Sequence, residues 1–352
     1  MATTMTTEER EARNPTYLAS RLQSGQTIDG QNLAFEIPII DLAPSFESLA
    51  GRQQVAAKIR AACLSSGFFY ITSHGINQAA CDGILEQGAR LFKRISAEAK
   101  QKIHIQHSPH GYGWESSDST SIAGDIETKE AFNWSYSSDL DPTGGDGQYV
   151  QLDGSHANNL NQWPTDLPTF YDGVRNYYGQ ALQLARHLCR LFALSLHLPE
   201  DYFDAMTTHP SANARIMYYP PSKGVANDVS VGLGAHTDYQ CFTILLCSST
   251  PGLEILSPAG QWVGAPTVKG GLVVNIADMM MRWTNASYKS TIHWVVNRSE
   301  GERYSVPLFF GVNNEQVVDT LPSCILEDNP SKYAPIKAGE YVLQRLATTR
   351  TY

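Results

Sequence analysis

Apolar residues recur along this chain with two periods, and the change from one to the other divides it. In the first two hundred residues the period is mostly helical. Gln53 to Ser65 carries Val55, Ile59, Ala62 and Cys63 on one face, Ala79 to Phe92 repeats the pattern, and Leu167 to Leu198 extends it furthest, through Phe170, Val174, Tyr177, Ala181, Leu184, Leu188, Leu191 and Leu194. Two β-prone runs interrupt these helices, Ile37 to Leu42 and Gly67 to Thr72. Asp141 to Asn161 is rich in Gly, Asp and Asn and reads as a loop. The first thirty or so residues are polar and are expected to form a short helix and an irregular arm.

From Ala214 onward short β-prone runs alternate with turn residues. The runs are Arg215–Tyr219, Thr243–Cys247, Gly252–Leu256, Leu272–Ile276, Ile292–Val296 and Tyr304–Phe310, and Pro- and Gly-rich turns separate them. Many short strands at this spacing predict a sandwich or barrel. The expected fold is mainly β with flanking α: a double-stranded β-helix, or jelly roll, preceded by an N-terminal α/β region. The expected division is an arm over 1–33, an α/β region over 34–165, and a long helix, jelly-roll core and C-terminal helix over 166–352.

Composition narrows the function. The chain has 352 residues, 42% apolar and 17% charged, which reads as globular, and a formal net charge of −9. That charge argues against nucleic acid or an anionic membrane as partner, since both repel it. No run of about 18 apolar residues occurs, and the polar start from Met1 to Arg13 lacks the apolar centre of a secretory signal. The six cysteines include no C-x-x-C pair, so free thiols in a reducing cytoplasm are expected. Monomer is the expected state.

The candidate chemistry begins at Gly234-Ala-His236-Thr-Asp238. Residues two apart in a strand point to one side, so His236 and Asp238 can reach one ion from a single strand end. A bare His-x-Asp pair is common and usually without function. A third donor, His293 in the β-run Ile292–Val295, makes it a candidate site. Two imidazoles and one carboxylate leave coordination positions open, which suits Fe(II) better than a tetrahedral zinc site. His74 reads as a turn residue, and His104, His107 and His110 lack a carboxylate or thiol to complete a second site.

Ten residues after His293 stands Arg303-Tyr-Ser305. On a strand, Arg303 and Ser305 share a face, and a guanidinium beside a hydroxyl is a good carboxylate receptor. Continuing the period brings Phe309 to that face, where it could wall a substrate. The competing reading is an exposed arginine on an edge strand.

In this order these motifs resemble the isopenicillin N synthase-like family of 2-oxoglutarate/Fe(II)-dependent dioxygenases. The resemblance runs from about Ile37 to Gln344. It includes Gly67 to Ile76, Lys129-Glu-Ala-Phe132, Asn161-Gln-Trp-Pro164, Arg215 to Pro220, His236-Thr-Asp238, Leu272 to Ile276, Thr284 to Ser290 with His293, and Arg303-x-Ser305. It implies Fe(II) on His236, Asp238 and His293, and the far carboxylate of 2-oxoglutarate on Arg303 and Ser305, helped by the Tyr219 hydroxyl. Asn275 matches a position that orients the ligands. Phe309, Phe132, Trp134 and Tyr112 match positions where relatives contact substrate. The implied activity couples 2-oxoglutarate and O2, with ascorbate as a candidate reductant, to oxidation of an unactivated C–H bond of a small organic substrate in secondary metabolism. The outcome is hydroxylation, desaturation or cyclisation. Met217, Trp294 and Asn313-Asn314 depart from the common pattern and make the plant hormone and flavonoid members poor guides to substrate. Two alternatives stay open: an oxidase of the same fold whose Arg303 and Ser305 hold the substrate's own carboxylate, and a non-catalytic binding module.

Overall fold

The strands of the second half, joined by several from the first, form two facing sheets. The computed structural model describes residues 35–349, apart from 118–120, 123–124, 157–160, 222–229 and 298, so the expected N-terminal arm lies outside the described residues. In chain order the strands of these sheets are β1 (Ile39–Asp41), β2 (Phe68–Thr72), β3 (Gly113–Glu115), β4 (Glu130–Trp134), β5 (Ala212–Tyr219), β6 (Leu233–His236), β7 (Phe242–Cys247), β8 (Leu253–Leu256), β9 (Trp262–Gly264), β10 (Leu272–Ile276), β11 (His293–Val295) and β12 (Arg303–Phe310). The larger sheet runs β1-β2-β10-β7-β12-β5-β4-β3, and the smaller runs β9-β8-β11-β6. This is the jelly roll anticipated from the strand spacing.

Strand alternation gives the larger sheet two different faces. Phe69, Ile71, Ile216, Ile244, Val274, Val306, Leu308 and Phe310 pack with the helices in one core cluster. Their neighbours in sequence, Phe68, Tyr70, Met217, Tyr219 and Val273, pack instead with Leu253, Ile255 and Val295 of the smaller sheet. Each such aliphatic or aromatic side chain contributes about 1.5–3 kcal/mol on burial. Because both faces are covered, these strands read as nearly continuous apolar runs.

Three helices cover the outer face: α1 (Leu49–Leu64), α2 (Gln78–Arg94) and α3 (Phe170–Ser195). Ser48 and Asn77 cap α1 and α2, their side chains accepting from the backbone N–H of Gly51 and Ala79. Two later helices matter for the site, α4 (Asp278–Trp283) and α5 (Ala338–Thr349). The short strands β3, β4 and β9 have no counterpart in the β-runs read from sequence. β3 and β4 extend the larger sheet past β5, beyond the predicted jelly-roll segment, with Phe132 opposite Ile216.

Candidate metal and anion site

His236 ends β6 and His293 begins β11, and the antiparallel ladder pairs these two residues directly. Their ring centroids lie 4.4 Å apart. β6 stops at His236, so Asp238 sits just beyond the strand in irregular backbone, fixed by the Asp278 N–H donating to its carbonyl at 3.0 Å. Asp238 Oδ1 is 3.6 Å from His236 Nε2 and 3.8 Å from His293 Nε2. One ligand atom from each of the three residues lies within 4.8 Å of the others.

Hydrogen bonds orient each member. His236 Nδ1 lies 2.7 Å from the Gly234 carbonyl and His293 Nδ1 3.1 Å from that of Thr291. A carbonyl only accepts, so each Nδ1 carries the proton and each Nε2 offers a lone pair to the centre of the cluster. Burial, and then the charge of neighbouring His236, pushes His293 down to about 4, so its imidazole is neutral at neutral pH and ready to ligate. The Asp238 Oδ2 accepts from Thr243 Oγ1 at 2.5 Å and from Asn275 Nδ2 at 2.7 Å, which leaves Oδ1 turned toward the imidazoles. Burial opposes the charge on Asp238, but the two imidazoles and Thr243 outweigh it and hold the carboxyl well below its ordinary range. This donor set, an ionised carboxylate and two imidazoles whose Nε2 atoms face it, fits a mononuclear Fe(II).

The same cavity, about 180 Å³, contains the second constellation. Arg303 is 1% exposed, which excludes the exposed edge-strand reading. Its Nη1 donates to Ser305 Oγ at 3.3 Å, its Nη2 to Cys247 Sγ at 3.3 Å, and Nε has no partner. Its guanidinium carbon lies 4.8 Å from the centre of the Tyr219 ring, Tyr219 being its ladder partner in β5. The Tyr219 hydroxyl donates to Met217 Sδ at 3.4 Å. Among the described residues no carboxylate pairs with Arg303. A buried guanidinium in that condition is poorly compensated, and an anion would supply the missing charge. Gly252 is needed beside it, because a Cβ there would lie 3.0 Å from Arg303 Cδ.

Of the four aromatic residues named as substrate contacts, Phe309 and Tyr112 line the cavity, while Trp134 borders it with its ring on the helix side of β4, 5.9 Å from Tyr178 of α3 between ring centroids. Phe132 does neither and is corrected here. It is fully buried, 4.9 Å from Phe170 and 6.0 Å from Trp163 between ring centroids, on the helix-facing side of β4. Its neighbour Asn133 takes the cavity side, opposite Arg215.

Several residues that shape the site escape a reading of motifs. Thr243 is one: it bonds Asp238 five residues back, across the turn between β6 and β7, and the β7–β10 register puts it opposite Asn275. Lys129, fully buried on the cavity wall, is paired with Glu115 at 2.9 Å, and Asn133 donates to the other Glu115 oxygen at 3.1 Å. Helix α5 sends Val342 and Leu346 into the cavity lining. It is tied down by the Tyr341 hydroxyl, which donates to Asp278 Oδ2 at 2.9 Å, and by Arg345 Nε at 3.6 Å from the same oxygen. Asp278 also accepts from Thr237 at 3.3 Å, so the helix is coupled to the segment between His236 and Asp238.

Comparison with known proteins agrees with this architecture. Residues 37–166 match the family model described as non-haem dioxygenase in morphine synthesis N-terminal, and residues 210–312 match that of the 2OG-Fe(II) oxygenase superfamily. The 2-oxoglutarate-Fe(II) type oxidoreductase ppzC of Metarhizium majus is 37% identical over 89% of this chain and 87% of its own length. The 2-oxoglutarate-Fe(II) type oxidoreductase hxnY of Emericella nidulans is 33% identical over 87% of this chain and 88% of its own. Among solved structures, Neurospora crassa T7H in complex with alpha-KG and 5-formyluracil aligns with a TM-score of 0.76 at 25% identity, covering 92% of this chain and 98% of that one. Relatedness over nearly the whole length, joined to this fold, makes the chain a member of the 2-oxoglutarate/Fe(II)-dependent dioxygenases, oxidoreductases that use Fe(II), 2-oxoglutarate and O2.

Proposed function

We propose that His236, Asp238 and His293 hold the iron, and that Arg303 with Ser305 and Tyr219 takes the far carboxylate of 2-oxoglutarate. The observation that carries this reading is the fully buried Arg303, without a carboxylate partner among the described residues, opening onto the same cavity as the triad. When bound, the iron supplies O2 activation coupled to decarboxylation of 2-oxoglutarate to succinate and CO2. The chain's own residues bind and orient. Thr243 and Asn275 fix the Asp238 carboxylate, the backbone carbonyls of Gly234 and Thr291 fix the imidazole rings, and Phe309, Tyr112, Leu233, Val342 and Leu346 exclude water around the substrate. The substrate is a small organic molecule of secondary metabolism, oxidised at an unactivated C–H bond by hydroxylation, desaturation or ring closure.

Mixing the protein with Fe(II) and 2-oxoglutarate without O2 is expected to give a visible metal-to-ligand charge-transfer band, and admitting O2 to release succinate. A colourless mixture sinks the cosubstrate assignment. Replacing Asn275 with alanine or Thr243 with valine is expected to weaken Fe(II) binding by about 10- to 100-fold while the chain stays folded. Metal titration followed by thermal unfolding reads both effects.

The remaining expectations rest on more general grounds. All six cysteines are free, which supports a reducing cytoplasm. Among the described residues no helix is long and apolar enough to cross a membrane. The net charge of −9 supports a protein that works without nucleic acid or a membrane surface, and monomer is the simplest state. We keep the division at 33/34 and 165/166, which sets the N-terminal α/β region apart from the long helix and jelly roll.

A further inference from the structure

Resting on that reading of the iron and cosubstrate positions, we infer that Arg215 is the substrate anchor and that the substrate is a small carboxylic acid with an apolar body. Along β5 the cavity side is taken by Asn213, Arg215, Met217 and Tyr219. Arg215 is partly exposed to the cavity, and its guanidinium carbon lies 5.9 Å from the centre of the Phe309 ring. Among the described residues its guanidinium has no hydrogen bond and no carboxylate partner. The other two cations on this wall are accounted for, Lys129 by an ion pair within the chain and Arg303 by the cosubstrate carboxylate assigned to it above. Lys129 is paired with Glu115, and Arg303 rests on Tyr219 beside Ser305.

Arg215 and Arg303 serve different groups. Arg303 lies opposite Tyr219, four positions along β5 from Arg215, and four residues of strand span roughly 13 Å. Each guanidinium rests on its own ring, Tyr219 for one and Phe309 for the other. Charge balance points the same way. The two charges of the metal and the one of Arg303 offset Asp238 and the dianionic cosubstrate, while Lys129 and Glu115 offset each other. Arg215 is then left with one positive charge, and a singly charged carboxylate neutralises it where a phosphate dianion would overshoot. A guanidinium takes a carboxylate through two parallel hydrogen bonds. The rest of the wall is apolar and aromatic, with Phe309, Tyr112, Leu233, Val342 and Leu346. Such a wall suits a hydrocarbon or aromatic body presented to the triad.

The test uses full-length protein loaded with Fe(II) and saturating 2-oxoglutarate without O2, and reads binding by calorimetry. Phenylacetate and its neutral isostere phenylacetamide are the probes. Phenylacetate is expected to bind at least about tenfold more tightly than the amide to the unaltered protein. Arg215→Gln is expected to erase that preference and Arg215→Lys to keep part of it, with 2-oxoglutarate binding unchanged in both. Equal binding of acid and amide, or a preference that survives in Arg215→Gln, overturns the inference. The charge-transfer band is recorded in the same samples. Its absence while the Arg215-dependent preference persists sinks the cosubstrate reading and leaves the anchor standing.

Discussion

Asp238→Ala is expected to abolish substrate oxidation, lowering kcat/KM by at least about a thousandfold, or roughly 4 kcal/mol of transition-state stabilisation. Asp238 is the only carboxylate in the cluster and brings the only negative charge to a dication held among buried groups. Removing it leaves two neutral imidazoles and strips Thr243 Oγ1 and Asn275 Nδ2 of the acceptor they share. Metal affinity and turnover should fall together, read by Fe(II) titration and by succinate release. Asp238→Asn serves as the structural control. It keeps the shape and a carbonyl acceptor for both donors, so its fold should survive while its metal affinity drops. Asp238→Glu keeps the charge but carries the carboxylate one methylene beyond the position set by Thr243 and Asn275, and should fall between the two. An alanine variant that bound iron and turned over like the unaltered protein would remove Asp238 from the site.

The triad was legible in the sequence because its spacing is local on one side and strand-borne on the other. His236 and Asp238 are two residues apart, and His293 sits in an obvious β-run. The Arg303–Ser305–Phe309 face was legible for the same reason, since a period of two assigns sides without knowledge of partners. What depended on register stayed hidden. Thr243 reaches Asp238 across the irregular turn between β6 and β7, which no period describes, and only the β7–β10 pairing sets it opposite Asn275. Arg215 lies inside a segment recognised for its resemblance, yet that its guanidinium has no carboxylate partner among the described residues is visible only in the folded chain. Phe132 shows the converse error. Matching a family position marked it for substrate, whereas the side of β4 that it occupies faces α3, where Phe170 covers it. Strands β3 and β4 mix charged, polar and aromatic residues, as in Gly113-Trp-Glu115 and Glu130-Ala-Phe-Asn-Trp134, with no apolar run, so the sheet edge beyond β5 had to come from pairing.

Arg303→Gln is expected to weaken 2-oxoglutarate binding by about 2–5 kcal/mol, or roughly 30-fold to several thousandfold, chiefly as a rise in KM for the cosubstrate. A guanidinium that is 1% exposed, with one hydroxyl and one thiol as hydrogen-bond partners and no carboxylate among the described residues, is poorly compensated in the free protein. A dicarboxylate supplies the missing charge, so much of the ligand's binding energy is concentrated there. Glutamine fills part of the space and donates hydrogen bonds but brings no charge. Two consequences separate this role from a structural one. Without 2-oxoglutarate the variant should be no less stable than the unaltered protein, because an uncompensated buried charge has been removed. With 2-oxoglutarate only the unaltered protein should gain thermal stability, since a ligand stabilises in proportion to its affinity for the folded state. Arg303→Lys should recover a minor part of the affinity, because a point charge on a flexible stem cannot keep the Ser305 contact and clasp both carboxylate oxygens. If 2-oxoglutarate shifted the melting of Arg303→Gln as far as that of the unaltered protein, the cosubstrate's carboxylate would have to rest elsewhere. Arg303 would then fall to the substrate, as in an oxidase that takes no 2-oxoglutarate.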